Sequence, residues 1–400
     1  MAMMSVGAFI LFLALAFGQP PAQFMGELKA EWKRPAFRSY FIISSVLAAT
    51  SALSLLAAKF FPLGYGGKFI EIHFLKDMAK AWYFFWPCIL VIGLKRLGPV
   101  QQNTVLHTWL LAFGVLSSLG ILQYFIGWPR PQPIPGELGH FHTTLFLGHH
   151  LSVASIFIFP FFVTLDWVYF SYQQTINVDP KPGSKLKLKA YSLIAILGFA
   201  ALMLTYSRTL WVALPTGILL WVLFTLPKRL KIITGTALLL LALGVCQYPP
   251  VQRRLHDGIG ISTRQELWLA NLEFLKQRPI TGVGWHHNQE LSGYYLMDKY
   301  KSGDVFSGHA HNNFLDILGS QGSFGALAWL AWCACVIGLL LGKRKRSLQQ
   351  SMSSAGTSLV FSKGLLCAWF VFQMNGLTQV NFWEGKVEHQ LAWVIAWSLL

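Results

Sequence analysis

The chain has 400 residues, 54% of them hydrophobic and only 12% charged, with a mean hydropathy of +0.48. A soluble domain carries roughly 25% charged residues, so this composition excludes an ordinary globular fold in water. Thirty-two Lys and Arg against sixteen Asp and Glu give a net charge of +16. Most of the basic residues sit in short loops between apolar runs, so the excess reads as membrane topology rather than nucleic-acid binding.

The N-terminal run 4–18 has the length of a signal-peptide core. It lacks a basic leader and a small-residue cleavage site, so it reads as a retained helix. Further apolar runs follow at 39–62, 81–94, 107–128, 149–170, 190–206, 209–226, 232–247, 313–341, 364–380 and 390–400. Together they predict an all-α polytopic membrane protein of about 11 helices. The 81–94 run is thin for a span and is expected to begin nearer Lys76. Three domains in sequence order follow: an N-terminal bundle over 1–247, an external loop over 248–312 and C-terminal helices over 313–400.

Orientation comes from the basic loops. Lys29, Lys33, Arg34 and Arg38 mark the first, and Lys95 with Arg96 the next on that side. Lys181, Lys185, Lys187 and Lys189, then Lys228, Arg229 and Lys231, then Lys343, Arg344, Lys345 and Arg346 complete the series. That side is assigned to the cytoplasm. The segments near 63–80, 129–148, 207–208 and 248–312 then face the periplasm or exterior. In this register the first run enters from outside, which implies a re-entrant helix or a further span upstream. Cys88, Cys246, Cys333, Cys335 and Cys367 lie in or beside apolar runs with no CxxC pair, and read as small buried apolar residues.

The loop over 248–312 holds the densest chemistry. Ser262 and Thr263 each head a capping-box pattern, and Leu267, Trp268, Leu272 and Leu275 recur at helical spacing. The pattern predicts an amphipathic helix over about 263–277 on the membrane surface, closed by Arg278-Pro279. Arg264 would then lie in its first turn, where free N–H groups favour an anion and a guanidinium adds two parallel donors. Snorkelling of Arg264 to lipid headgroups accounts for its position equally well. Arg208 separates two apolar runs with too few residues for a solvated loop, and charge at that depth is costly. It reads as a second anion contact or as an interfacial anchor.

His309-Ala310-His311-Asn312 precedes the long apolar run at 313. Histidines at i and i+2 do not share a helix face, so they are not a helical metal pair. A ring just before a helix N-terminus is kept neutral, as a general base needs. The alternative is a pair of structurally satisfied interfacial histidines. Gly319, Gly322 and Gly325 predict close packing or a bend in the helix that follows. Gly282-Val283-Gly284-Trp285 is a glycine turn, and His286 and His287 beside it have no acid close in sequence. Arg130 is a third candidate anion contact, in a loop that also holds His140, His142, His149 and His150. Lys76 and Lys80, near Glu71 and Asp77, are placed on the same external face. Acidic DxD pairs are absent from the chain, which favours catalysis without a metal.

Three ordered blocks resemble the O-antigen ligase/polymerase superfamily of bacterial envelope glycan enzymes. They are Ser207-Arg-Thr-Leu-Trp-Val-Ala213, then Arg264-Gln-Glu-Leu-Trp268 leading to Pro279-Ile-Thr-Gly-Val-Gly284, then His311-Asn-Asn-Phe-Leu315 with Gly322 and Gly325. The likeness spans roughly 200–390, and Gln321 stands where the family commonly has Glu. The resemblance implies a GT-C-like helical fold in the bacterial inner membrane with a periplasmic active site and no cofactor. It also implies a glycan donor on undecaprenyl pyrophosphate. Arg208 and Arg264 would hold the pyrophosphate, and His311 would take the acceptor proton. Arg130, His309, Lys76, Trp268 and Asn312 complete the expected substrate-binding set. The expected acceptor is lipid A–core. A glycan acceptor (a polymerase), a polypeptide acceptor and, in another class, a flippase for an anionic lipid are the alternatives.

Overall fold

The computed structural model describes residues 21–135, 137–176, 183–247, 252, 259–303, 305–351 and 362–400. The apolar run predicted at 4–18 lies outside them. The described helices, in chain order, are α1 (Pro21–Trp32), α2 (Pro35–Phe60), α3 (Phe74–Met78), α4 (Trp86–Arg96), α5 (Pro99–Ile126), α6 (His150–Ile176) and α7 (Ser184–Met203). They continue with α8 (Arg208–Thr225), α9 (Lys228–Gln247), α10 (Ile259–Gln277), α11 (Asn288–Tyr300), α12 (Asn313–Ser351), α13 (Ser362–Asn375) and α14 (Gly385–Leu399). A 3-10 turn (Ala79–Phe84) joins α3 to α4. Two short antiparallel hairpins, β1 (Gly64–Tyr65) with β2 (Lys68–Phe69) and β3 (Pro133–Ile134) with β4 (Glu137–Phe141), lie in loops between helices.

Every predicted apolar run from 39–62 onward has a helical counterpart. Among the described residues six helices are long and apolar enough to cross a membrane: α2, α5, α6, α7, α8 and Asn313–Gly342 of α12. The segment Phe74–Phe84 with Trp86–Arg96 adds a seventh if its two parts, bent by 41°, form one span. The early start expected near Lys76 is thus present, and Pro87 in the first turn of α4 marks where the direction changes. The chain is a multi-pass helical membrane protein.

The helices form two compact units, each interleaved in sequence. The first contains the described residues within 1–98, 259–339 and 376–400; the second contains those within 99–258 and 340–375. In the first unit Trp86, Leu90 and Leu94 of α4 pack on Ala392 and Ala396 of α14. A second cluster of Ala270, Phe274, Val283 and Leu291 joins α10, α11 and the glycine turn. In the second unit α6 packs on α7 and α13, and α13 on α8. Asp166, inside the α6 span, accepts from the Trp221 indole at 2.7 Å and from the Gly364 N–H at 2.8 Å. Both partners are structural, so this buried carboxylate ties α6 to α8 and α13.

α12 is broken where its glycines predict a bend. Gly322 has φ 68° and ψ −164°, which ends one helix and starts another. The Gly319 and Ser320 carbonyls freed by the break accept from the N–H groups of Val283 and Gly284 at 3.1 and 3.0 Å. In return the N–H groups of Ser323 and Phe324 donate to the carbonyls of Pro279 and Ile280 at 2.8 and 3.3 Å. Backbone polar groups freed in an apolar setting need such partners. The approach is so close that a Cβ on Gly322 would stand 2.5 Å from the Ile280 carbonyl. A Cβ on Gly282 (φ 65°) would stand 2.5 Å from the Gln321 nitrogen. The two glycine motifs, forty residues apart on the page, are therefore two halves of one clasp.

Candidate active site

The segment Gly308–Asn313 is held at nearly every peptide. Ser292 of α11 donates its hydroxyl to the Gly308 carbonyl at 2.9 Å. The Ala310 N–H donates to Asp316 Oδ1 at 3.1 Å, and the Ala310 carbonyl accepts from the Trp268 indole of α10 at 2.6 Å. Asn312 is the N-cap of α12: its Oδ1 accepts from the Leu315 N–H at 3.0 Å, while its Nδ2 donates to the Leu377 carbonyl at 2.9 Å. The Asn313 N–H donates to Gly376, and its side-chain amide pairs with Asn381 at 2.7 Å. Two histidines are thereby mounted on a rigid backbone at the mouth of a helix.

Their rings lie 4.2 Å apart, centroid to centroid. His311 has φ 48°, a left-handed conformation that a non-glycine residue adopts only when its surroundings impose it. Its main-chain N–H donates to His309 Nδ1 at 3.2 Å. That contact fixes a tautomer, because a neutral His309 whose Nδ1 accepts must carry its proton on Nε2. Burial holds His309 below its ordinary value, opposed by the negative charges of Asp316 and Glu384 and assisted by the Arg264 guanidinium. Arg264, His309, Glu384 and Asp316 thus lie within electrostatic reach of one another. His309 is set up as a neutral donor through Nε2.

Arg264 stands one turn before Trp268 on α10, so the helix carries both toward the histidine segment. The helix begins at Ile259, not at 263, and Arg264 lies in its second turn. The capping boxes at Ser262 and Thr263 are overridden because the residues before them also take helical dihedrals. The predicted apolar stripe is corrected too. The buried face is Leu267, Ala270, Asn271 and Phe274, while Leu272 is 39% exposed. A polar Asn takes a position in that stripe because it is paired: Asn288 Nδ2 donates to Asn271 Oδ1 and to Asp316 Oδ1, each at 2.8 Å. Lys299 of α11 ties back to Glu266 at 2.7 Å and holds that carboxyl below its usual range.

Of the remaining predicted residues, Lys76 is exposed on α3 in the first unit. His287 does have an acidic partner, Asp77, 3.0 Å from its Nε2, although the two are far apart in sequence. Burial, with Lys80 and His287 nearby, pushes His286 down to about 3. Gln321, buried in the α12 break, lies 3.2 Å from the Ser51 hydroxyl through Oε1. Among the described residues no group of three or more His, Cys, Asp or Glu is arranged to hold a metal ion.

The second unit carries Arg208 and Arg130. Arg208 is the first residue of α8, after Ser207 at the N-cap and Tyr206 at φ 56°. The helix N-terminus expected around Arg264 is found at Arg208 instead. A guanidinium at the positive end of a helix is disfavoured unless an anion joins it, so this position suits a phosphate. Arg130 is exposed, and its carbonyl accepts from Gln123 at 2.8 Å. Tyr124 stacks on His140 at 4.5 Å, and His142 on His150 at 4.2 Å.

Residues 193–330, about a third of the chain, match the family model described as O-Antigen ligase. Over this stretch the chain is similar to the O-antigen ligase/polymerase superfamily. The match contains Arg208, Arg264, Trp268, the histidine pair and both glycine motifs; Arg130, Lys76 and Glu384 fall outside it. No curated protein matches the chain. The match supports a general O-antigen ligase/polymerase-like function and a glycosyltransferase-like chemistry. Sequence reasoning missed Asp316, Asn271, Asn288 and Glu384. Asp316 had a visible signal: it is the lone carboxylate between Asp304 and Glu384, at the head of an apolar helix.

Proposed function

We propose that this protein transfers an O-antigen glycan from undecaprenyl pyrophosphate to lipid A–core at the periplasmic face of the inner membrane. The observation that supports this reading best is the pinned His309-Ala310-His311 segment beside Arg264. An acceptor hydroxyl loses its proton to His311 as its oxygen attacks the anomeric carbon. The bond from that carbon to the pyrophosphate oxygen breaks, and the electron pair leaves with the pyrophosphate. Attack from the opposite face inverts the anomeric centre.

Arg264 and Arg208 stabilise the charge growing on the leaving oxygen, with His309 donating through Nε2. Groups fixed before the reaction begins are worth several kcal/mol in such roles. His311 as base contributes about 10²–10⁴-fold. Trp268 and Asn312 act by holding the histidine segment, and Arg130 and Lys76 are placed as outer contacts for donor or acceptor phosphates. Pyrophosphate is a good leaving group, so the chemistry needs no divalent ion. A ligase is favoured over a polypeptide acceptor because the external loop over 248–312 is moderate in size.

The test is reconstitution in proteoliposomes with lipid-linked glycan, EDTA, and lipid A–core, free glycan or polypeptide as separate acceptors. Product on lipid A–core supports the ligase. Product on glycan or polypeptide reassigns the acceptor, and movement of intact donor between leaflets with no transfer supports a flippase.

A further inference from the structure

The fold buries a carboxylate against the peptide that joins two histidines, and the reading just proposed gives that carboxylate no role. Asp316 is 3% exposed. Its Oδ1 accepts from the Ala310 N–H and from Asn288, which in turn is held by Asn271. Ala310 is itself fully buried, so the peptide between the histidines is fixed from both sides, by Asp316 at its N–H and by Trp268 at its carbonyl. A shift at Asp316 is a shift of both imidazoles. Both hydrogen bonds could be accepted by a neutral amide oxygen, yet the position carries a group whose charged form is costly to bury.

We propose that Asp316 is a positioning residue for the His309–His311 pair, fixing the peptide that joins them with its carboxylate in electrostatic reach of His309. The inference rests on the transferase reading above. The charged groups that act on His309 come from three elements: Asp316 from α12, Arg264 from α10 and Glu384 from the residue before α14. Asn288 and Asn271 behind Asp316 are neutral. Removing the Asp316 charge leaves Arg264 less opposed, so protonation of His309 becomes harder. His309 Nδ1 then goes on accepting from the His311 N–H to lower pH, and the pair keeps its geometry.

The test compares Asp316→Asn and Asp316→Ala in the reconstituted transfer assay, with kcat, donor KM and the pH profile of kcat measured for each. Asp316→Ala releases the Ala310 peptide, and kcat is expected to fall by about 10²-fold, the scale of a misplacement near 1 Å, with donor KM unchanged. Asp316→Asn keeps an acceptor oxygen for Ala310 and Asn288, so it is expected to restore most of the plateau kcat. Its acidic limb is expected to move to lower pH, a readout that a purely structural side chain would leave in place. Wild-type kcat in Asp316→Ala, or an unmoved or upward-shifted limb in Asp316→Asn, overturns the proposal. If Asp316→Ala does not fold, the limb of Asp316→Asn decides alone. His311→Ala run in parallel separates the two claims: full activity there removes the transferase reading, whereas its loss beside an unmoved Asp316→Asn limb removes this inference only.

Discussion

Two loops of this chain carry histidines, and a buried side chain grips the backbone of each. In the second unit that side chain is Gln123, fully buried on α5. Its amide donates to the Arg130 carbonyl at 2.8 Å and to Thr144 Oγ1 at 2.9 Å, and accepts from the Thr144 and Leu145 N–H groups at 2.9 and 2.6 Å. A neutral group satisfied at both ends thus holds the loop that spans Arg130 to Leu145. The histidines of that region stack flat on aromatic neighbours, with interplanar angles of 9° for His140 on Tyr124 and 12° for His142 on His150. In the first unit the holding group is a carboxylate, and its histidines meet at 59° beside a guanidinium. The contrast teaches that fixing a loop does not require a buried charge. Where a carboxylate does the holding, its charge has, on the inference above, a second role on the groups held.

The comparison breaks most sharply at His311. His311→Ala is expected to lower transfer by about 10²–10⁴-fold, in protein that still elutes as a folded species, while donor binding persists. Wild-type turnover would make the first loop as structural as the second. Gln123→Ala is expected to act on stability instead. Leaving the Thr144 and Leu145 N–H groups without their buried acceptor costs about 1–3 kcal/mol each at most, read as a lower unfolding temperature in detergent. The acidic limb of kcat should stay in place; a moved limb would erase the distinction between the two loops. Glu266→Gln gives the smallest effect. The Lys299–Glu266 pair has side chains about a third exposed, and such pairs contribute about 0–1 kcal/mol. Its folded-state pKa is lowered by Lys299, so what it contributes is present above the unfolded value and is lost as pH falls through the folded one. A melt of the variant against wild type at neutral and acidic pH checks this: the small difference should close on acidification.

Much of the fold is legible because a bilayer permits few solutions. Long apolar runs must be helical, and 39–62, 149–170 and 209–226 were within a few residues of α2, α6 and α8. The bend in α12 was legible from Gly319, Gly322 and Gly325, but its partner was not. Nothing local in Pro279–Gly284 says that its N–H groups cap a helix forty residues later. α11 was missed because Asn288-Gln-Glu-Leu-Ser-Gly293 is polar, and its burial through Leu291 and Leu296 depends on α10 being there. At the site, Arg264 and the histidines were legible as residue types out of place in an apolar chain. The register of α10 and the grip on Ala310 were not, since both arise from contacts between Trp268, Asn288 and Asp316 that no short window contains.

In the proposed reaction Arg208 and Arg264 act on one pyrophosphate. A double-mutant cycle of Arg208→Lys, Arg264→Lys and the pair, read as kcat/KM for the lipid-linked donor in proteoliposomes, tests it directly. Each lysine keeps the charge and loses the paired donors, so each single variant should lose most of its activity. Two groups on one ligand are expected to show a coupling of about 0.5–3 kcal/mol, with the double variant losing less than the product of the two single losses. Strictly multiplicative losses, or near-wild-type turnover in either single variant, would contradict the account.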